Sequence, residues 1–149
     1  MPTHNELLRL GQSVLAAQPF SMWLGVRLSV LVPGEAELRL PLQREHLQGK
    51  SIVHGGVLGY LVDNASAFAG GSLLGPAAMT AEYKISFLRP ASGTELIANA
   101  RVVHAGRSQA VVQCDVHILT AASTPKLCAV GLATIARVTE ARATPEEEA

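Results

Sequence analysis

Val53-His54-Gly55-Gly56-Val57-Leu58-Gly59-Tyr60-Leu61-Val62-Asp63-Asn64 is the stretch on which the reading of this chain turns. Two glycines open it. Beyond them Val57, Leu58, Leu61, Val62, Ala65, Phe68 and Ala69 place apolar side chains on most faces of a helix. A helix without a broad polar face has to be covered on most sides. The run from Val57 to Leu74 is interrupted by Asp63-Asn64 and by Gly70-Gly71, so it reads as a buried helix rather than a membrane span. Upstream, periodicity lapses from Arg44 to Ile52 among Glu45, His46, Gln48, Gly49 and Lys50, a loop that delivers the chain to the helix start.

Working outward, Leu7, Leu8, Leu10, Val14 and Leu15 lie at roughly helical spacing and stop before Pro19, which predicts a short amphipathic N-terminal helix. Val26 to Val30 and Ala36 to Leu40 alternate apolar and polar around Pro33-Gly34, the pattern of a hairpin. After the central helix, four stretches alternate with period two: Ala78 to Leu88, Glu95 to Val103, Gln109 to Leu119 and Lys126 to Arg137. Short Gly/Pro/Ser turns separate them, which predicts an antiparallel meander. The expected plan is α+β: a curved antiparallel sheet wrapped round one long central helix. Residues 1–140 are read as one domain and 141–149 as a flexible acidic tail.

Composition bounds the partners. The chain has 149 residues, 48% of them hydrophobic, enough for a core without disulfides or a metal. Lysine plus arginine equal aspartate plus glutamate at 12 each, so no overall charge favours nucleic acid or an anionic membrane. An anionic ligand has to be held locally. Cys114 and Cys128 have no metal-ligand spacing and read as reduced core residues. The segment MPTHNELLRLGQ lacks the features of a signal peptide, and the expected location is cytoplasmic.

The chemistry sits on the central helix. Backbone N–H groups at a helix start have no intrahelical acceptor, and the macrodipole is positive there. Glycine at positions 55 and 56 lets a carbonyl oxygen approach closely, the arrangement of an oxyanion site for acyl transfer. By itself His54-Gly55-Gly56 reads more readily as a tight loop-to-helix joint. Asp63 changes this, because a carboxylate amid an apolar helix is costly unless paired or functional. One reading satisfies it with Tyr60 or Ser66, each one turn away; the other makes it a general base or nucleophile. From Gly55 to Asp63 the helix rises about 12 Å. One chain does not readily bring both to the same carbonyl. Two antiparallel helices related by a two-fold axis would, which predicts a homodimer, or a homotetramer built as a dimer of dimers, with shared active sites.

Val53 through Asn64 resembles the signature of the PaaI/YdiI-like branch of hotdog-fold acyl-CoA thioesterases, and the likeness continues through Ile85-Ser86-Phe87-Leu88-Arg89-Pro90-Ala91 and Gly106-Arg107-Ser108. The resemblance covers about Met22 to Val138 and implies a hotdog fold and hydrolysis of a fatty-acyl-CoA or aryl-CoA thioester to free acid and coenzyme A. It implies Asp63 as general base or nucleophile, the Gly55 N–H polarising the thioester carbonyl beside Gly56, and His54 orienting the site. It also implies a hydroxyl that assists the attacking water, a position occupied by Thr80. The family often has Asn six residues before the His-Gly-Gly; here Gln48 stands there, either orienting the carbonyl or filling the loop. Arg89, Arg107 and Ser108 are candidate contacts for the phosphates of coenzyme A, with solvated turn arginines as the alternative. Leu58, Leu61, Phe68 and Met79 are candidates for an acyl pocket.

A thioester carbonyl is already electrophilic, so a carboxylate and one oxyanion donor suffice without a metal or a cofactor; coenzyme A is part of the substrate. No G-x-S-x-G elbow supports a Ser-His-Asp site, and His104 and His117 fall in ordinary strand positions. Two other functions remain open on sequence: a hotdog enoyl-CoA hydratase or dehydratase, and a non-catalytic acyl-CoA-binding protein.

Overall fold

Thr3 caps the first helix, α1 (His4–Ala16), through a reciprocal pair of hydrogen bonds with Glu6 in the computed structural model, which describes residues 3–121 and 123–139. The helix ends before Pro19 as the spacing predicts. A second helix, α2 (Pro19–Leu24), then begins at that proline, whose missing N–H has no acceptor at the first helical position in any case. The sequence pattern does not announce α2, because Phe20, Met22 and Trp23 are all exposed and define no buried stripe.

The expected hairpin is β1 (Arg27–Val32) and β2 (Glu35–Pro41), closed by Pro33-Gly34 with Gly34 at φ 82, a conformation that glycine adopts freely. The Gly34 N–H donates to Ser72 Oγ at 2.8 Å and ties the turn to the central helix α3 (Gly55–Leu74). After α3 come β3 (Ala78–Phe87), β4 (Glu95–Ala105), β5 (Gln109–Thr120) and β6 (Ser123–Arg137). The six strands form one antiparallel sheet in the order β1-β2-β4-β5-β6-β3.

This order corrects the expected four-strand meander. Only β4, β5 and β6 follow one another; β3 pairs with β6 at the far edge, and its connection to β4 passes the start of α3, where the Val53 N–H donates to the Ala91 carbonyl at 2.9 Å. Strand pairing is a tertiary outcome, and period-two patterning reports only which residues face inward.

The sheet curls round α3. Leu58, Leu61, Val62, Ala65 and Ala69 are buried against inward residues such as Leu38, Leu96, Val112 and Ile135. Burial of each large apolar side chain contributes about 1.5–3 kcal/mol. The helix approaches β6 so closely that a Cβ at Gly131 would lie 2.3 Å from Val62 Cγ1. Bulges at Leu28/Val30, Thr80/Glu82 and Val102/His104 bend the strands. Cys114 and Cys128 are free and buried, as expected of core thiols; burial pushes them up to about 12 and about 11 respectively. Among the described residues no helix is long and apolar enough to cross a membrane. The tail at 141–149 lies outside the described residues.

Candidate active site

His54 is the N-cap of α3. Its φ and ψ of −64 and 134 are extended, and its Nδ1 accepts the Gly56 N–H at 2.9 Å. Its carbonyl accepts the Val57 N–H, also at 2.9 Å. The Gly55 N–H meets no protein acceptor among the described residues. The helix start therefore satisfies the donors on either side of Gly55 and leaves that one available to a ligand, on a backbone whose added Cβ would come 3.3 Å from Phe87 Cζ.

A residue that sequence reasoning passed over holds this start in place. His46 is 3% exposed; its Nδ1 accepts the Gln43 N–H at 3.0 Å, so Nε2 carries the proton and donates to the Leu24 carbonyl at 2.9 Å. Its own carbonyl accepts the His54 N–H at 2.9 Å. Thus the end of α2, the loop and the helix start are fastened together by one imidazole. The sequence signal was only a histidine in an aperiodic loop, indistinguishable from a solvated one. That loop contains two short 3-10 turns, with Lys50 and Ser51 at φ 64 and 56, a conformation that costs non-glycine residues energy.

Asp63 lies two turns into α3, half-buried. Neither neighbour that would make it structural does so. Tyr60 Oη donates to Ser21 Oγ at 2.6 Å and accepts from Asn64 Nδ2 at 2.8 Å, while the buried Ser66 Oγ has no hydrogen-bond partner. No hydrogen bond or ion pair reaches the Asp63 carboxylate among the described residues. Burial raises the Tyr60 phenol above its ordinary value, and the negative Asp63 beside it pushes in the same direction.

The two halves of the motif open into different cavities. Asp63 lines one of about 640 Å³ with Gly56, Tyr60, Asn64, Phe20 and Tyr83. Gly55 lines another of about 510 Å³ with Gln48, Leu58, Phe87 and Arg89. The structure thus brings Gln48, Gly55 and Arg89 together, and Gly56 with Asp63, but not Gly55 with Asp63. Thr80 lines neither cavity, although it shares the helix-facing side of β3 with Ala78, which lies against Gly71.

Arg107 and Ser108 stand apart from Arg89 within the chain. Their turn lies beside Arg137, whose N–H donates to the Ser108 carbonyl at 2.8 Å and whose residue pairs with Ala78. Arg89 follows the opposite end of β3, about 30 Å away at the rise of an extended strand. Among the expected acyl-pocket residues, Leu61 is fully buried core and Met79 is exposed; Leu58 lines the Gly55 cavity and Phe68 a groove beside α1.

The chain matches the profile of the Thioesterase superfamily over residues 50–122, which run from the end of the loop through α3, β3, β4 and β5. It is 30% identical over 126 residues to human acyl-coenzyme A thioesterase 13, an alignment spanning 80% of this chain and 86% of that protein. The chain belongs to the thioesterase superfamily. It is also 34% identical over 94 residues to the acyl-coenzyme A thioesterase PaaI of Escherichia coli, covering 62% of this chain and 66% of that one. A solved thioesterase family protein from Silicibacter pomeroyi superimposes with a TM-score of 0.81 at 29% identity, covering 90% of this chain and 97% of that chain. The sheet wrapped round α3 is the hotdog fold of these structures, and the protein is a thioester hydrolase by family.

Proposed function

We propose that the protein hydrolyses acyl-CoA thioesters, with Asp63 as general base or nucleophile and the Gly55 N–H as oxyanion donor. One observation carries the reading: on a single helix, an N–H without an acceptor at the start and a carboxylate without a partner two turns later, among the described residues. Each is an unsatisfied group that a thioester at a shared site would engage. The Gly55 N–H would meet the developing oxyanion, an interaction worth about 3–4 kcal/mol of barrier when preorganised. Asp63 would deliver or become the nucleophile, Thr80 would hold the water, and His54 would keep the Gly56 N–H occupied and the helix start rigid. The names of the human and bacterial relatives supply acyl-CoA as the substrate class.

The site is completed by a second copy of the chain. A two-fold axis that lays Asp63 over the partner subunit's Gly55 passes near Gly59, halfway along the helix between them. Gly59 lies against Tyr83 at the middle of β3, where an added Cβ would come 2.9 Å from Oη. The same axis sets two β3 edges antiparallel, covering Met79, Tyr83 and Phe87, which are 62%, 40% and 57% exposed in the single chain. It also carries the Ala78 end of one chain, with Arg107 and Ser108, to the Arg89 end of the other. Residues far apart in one chain then form one cationic edge for the phosphates of coenzyme A, with Gln48 at the carbonyl. We place this assembly, a dimer or dimer of dimers, in the cytoplasm, where Cys114 and Cys128 stay reduced.

The test is hydrolysis of a panel of acyl- and aroyl-CoAs by the wild type and Asp63→Ala, with thermal unfolding as the control. The expected result is turnover by the wild type and a fall of several powers of ten in kcat for a variant that melts normally. Absence of any hydrolysed substrate, or a fully active variant, would reject the reading.

A further inference from the structure

Gln18 belongs neither to the α3 motif nor to the sheet, yet it lines the Asp63 cavity. It is the N-cap residue of α2, and its backbone is fixed on both sides: its N–H donates to the Leu15 carbonyl and its carbonyl accepts the Met22 N–H, each at 3.0 Å. An N-cap side chain ordinarily accepts from the backbone N–H groups of the first turn. That of Gln18 does not cap the helix it precedes. Its Oε1 accepts instead from Ser21 Oγ at 2.6 Å and, across to α3, from Asn64 Nδ2 at 3.2 Å.

The other donors of this cluster are spent inside it. The buried Ser21 gives its proton to Gln18, and Tyr60 Oη donates to Ser21 Oγ at 2.6 Å. Asn64 Nδ2 donates to Tyr60 Oη at 2.8 Å as well as to Gln18, with Ser21 Oγ a longer third contact at 3.4 Å. An amide carries its acceptor oxygen and its two N–H donors on one rigid plane. Two hydrogen bonds on the oxygen therefore fix where the donors point, and Gln18 Nε2 meets no protein acceptor among the described residues. The result is an ordered amide with an unused donor edge, held by the residue next to Asp63 and lining the same cavity. Ser21 and Asn64 impose that order before a ligand arrives, so a ligand oxygen finds its donor already oriented.

We propose that Gln18 is a specificity-determining residue: its Nε2 donates to an oxygen on the acyl group whose thioester carbonyl sits at Asp63, and acyl groups bearing a keto or hydroxyl oxygen are selected by it over their hydrocarbon isosteres. Ser21, Tyr60 and Asn64 are positioning residues that act through it. The proposal rests on the thioesterase reading of the Asp63 cavity and adds the group that recognises the acyl moiety.

The experiment uses non-hydrolysable S-octyl-coenzyme A and analogues with a keto group moved along the alkyl chain, titrated calorimetrically into wild type, Gln18→Met, Gln18→Glu and Ser21→Ala, with thermal unfolding as the control. Gln18→Met keeps the length and removes the amide; Gln18→Glu keeps the oxygen that Ser21 and Asn64 bind and removes both N–H donors. At one keto position the ratio of keto to hydrocarbon affinity should fall about threefold to tenfold from wild type to either variant, the loss of one hydrogen bond. A purely structural role would move both ligands equally and leave the ratio where it was. Ser21→Ala, which lets the amide turn, should lower the ratio by less. A ratio unchanged in Gln18→Met and Gln18→Glu at every keto position overturns the proposal. Acyl-CoA hydrolysis measured on the same samples keeps the two readings apart. Turnover with an unchanged ratio sinks the role of Gln18 alone; a ratio that falls in the variants of a protein that turns nothing over sinks the thioesterase reading and leaves Gln18 standing.

Discussion

The two faces of α3 do different work. On the sheet side Leu61, Val62, Ala65 and Ala69 are wholly buried, and the fit against β6 is tight enough to require glycine at position 131. On the other side Tyr60, Asp63 and Asn64 border open cavities, and the Asp63 carboxylate makes no hydrogen bond among the described residues. One helix therefore separates stability from chemistry by orientation alone, and substitutions on the two faces should separate in the same way.

The largest effect is expected on the open face. Asp63→Ala should lower kcat by several powers of ten, about 4 kcal/mol or more of barrier, while leaving the melting temperature unchanged or slightly raised, because a half-buried uncompensated charge is removed. Loss of stability together with activity would mean that the carboxylate is structural after all. On the sheet face the pattern should invert: Leu61→Ala should cost about 2–5 kcal/mol in denaturant unfolding and leave the acyl preference intact.

A smaller effect tests the fastening between the faces. His46→Ala leaves the Gln43 N–H and the Leu24 carbonyl without their buried partner, a loss of about 1–3 kcal/mol, and should lower kcat as well because the Gly55 loop is no longer held. His54→Ala removes only the Gly56 acceptor and should cost about 1 kcal/mol. If His46→Ala lowered stability alone, the loop would be positioned by its turns instead.

Alkaline stability reports on the sheet side through two buried thiols, alongside the Tyr60 phenol of the open face, which burial also raises. The folded-state thiols of Cys114 and Cys128 titrate above their ordinary value of 9.0, pushed up to about 12 and about 11 by burial. The unfolded chain therefore loses these protons first, and the contribution to stability is intact below pH 9 and lost as pH rises through the folded values. Cys114→Ala should flatten the decline of unfolding free energy between pH 9 and 12 that the wild type shows.

Much of this was legible in the sequence because it is local. The α3 motif, the Pro33-Gly34 hairpin and the period-two strands each follow from spacing within one segment. The α2 helix was not legible, since Phe20, Met22 and Trp23 face outward and give no stripe. Nor was the pairing of β3 with β6, which depends on where a connection travels rather than on what it contains. At the candidate site, Gly55 and Asp63 were readable because glycine at a helix start and a carboxylate in an apolar helix are each anomalous. His46 was not, because only the folded chain brings the Leu24 carbonyl to its ring. The separation of Arg107 and Ser108 from Arg89 likewise emerges only from the register of β3 with β6.

The claim that each active site takes Gly55 from one subunit and Asp63 from the other is tested most directly by subunit mixing. Gly55→Pro deletes the N–H at the first helical position, where proline is tolerated, after a residue whose φ and ψ of −64 and 134 suit a following proline. Asp63→Ala deletes the carboxylate. Each variant alone should be inactive. Refolded together in equal amounts, they should recover about a quarter of wild-type activity, because half the dimers are mixed and each mixed dimer holds one intact site. No recovery from well-folded mixed dimers would contradict the shared site and return both groups to a single chain.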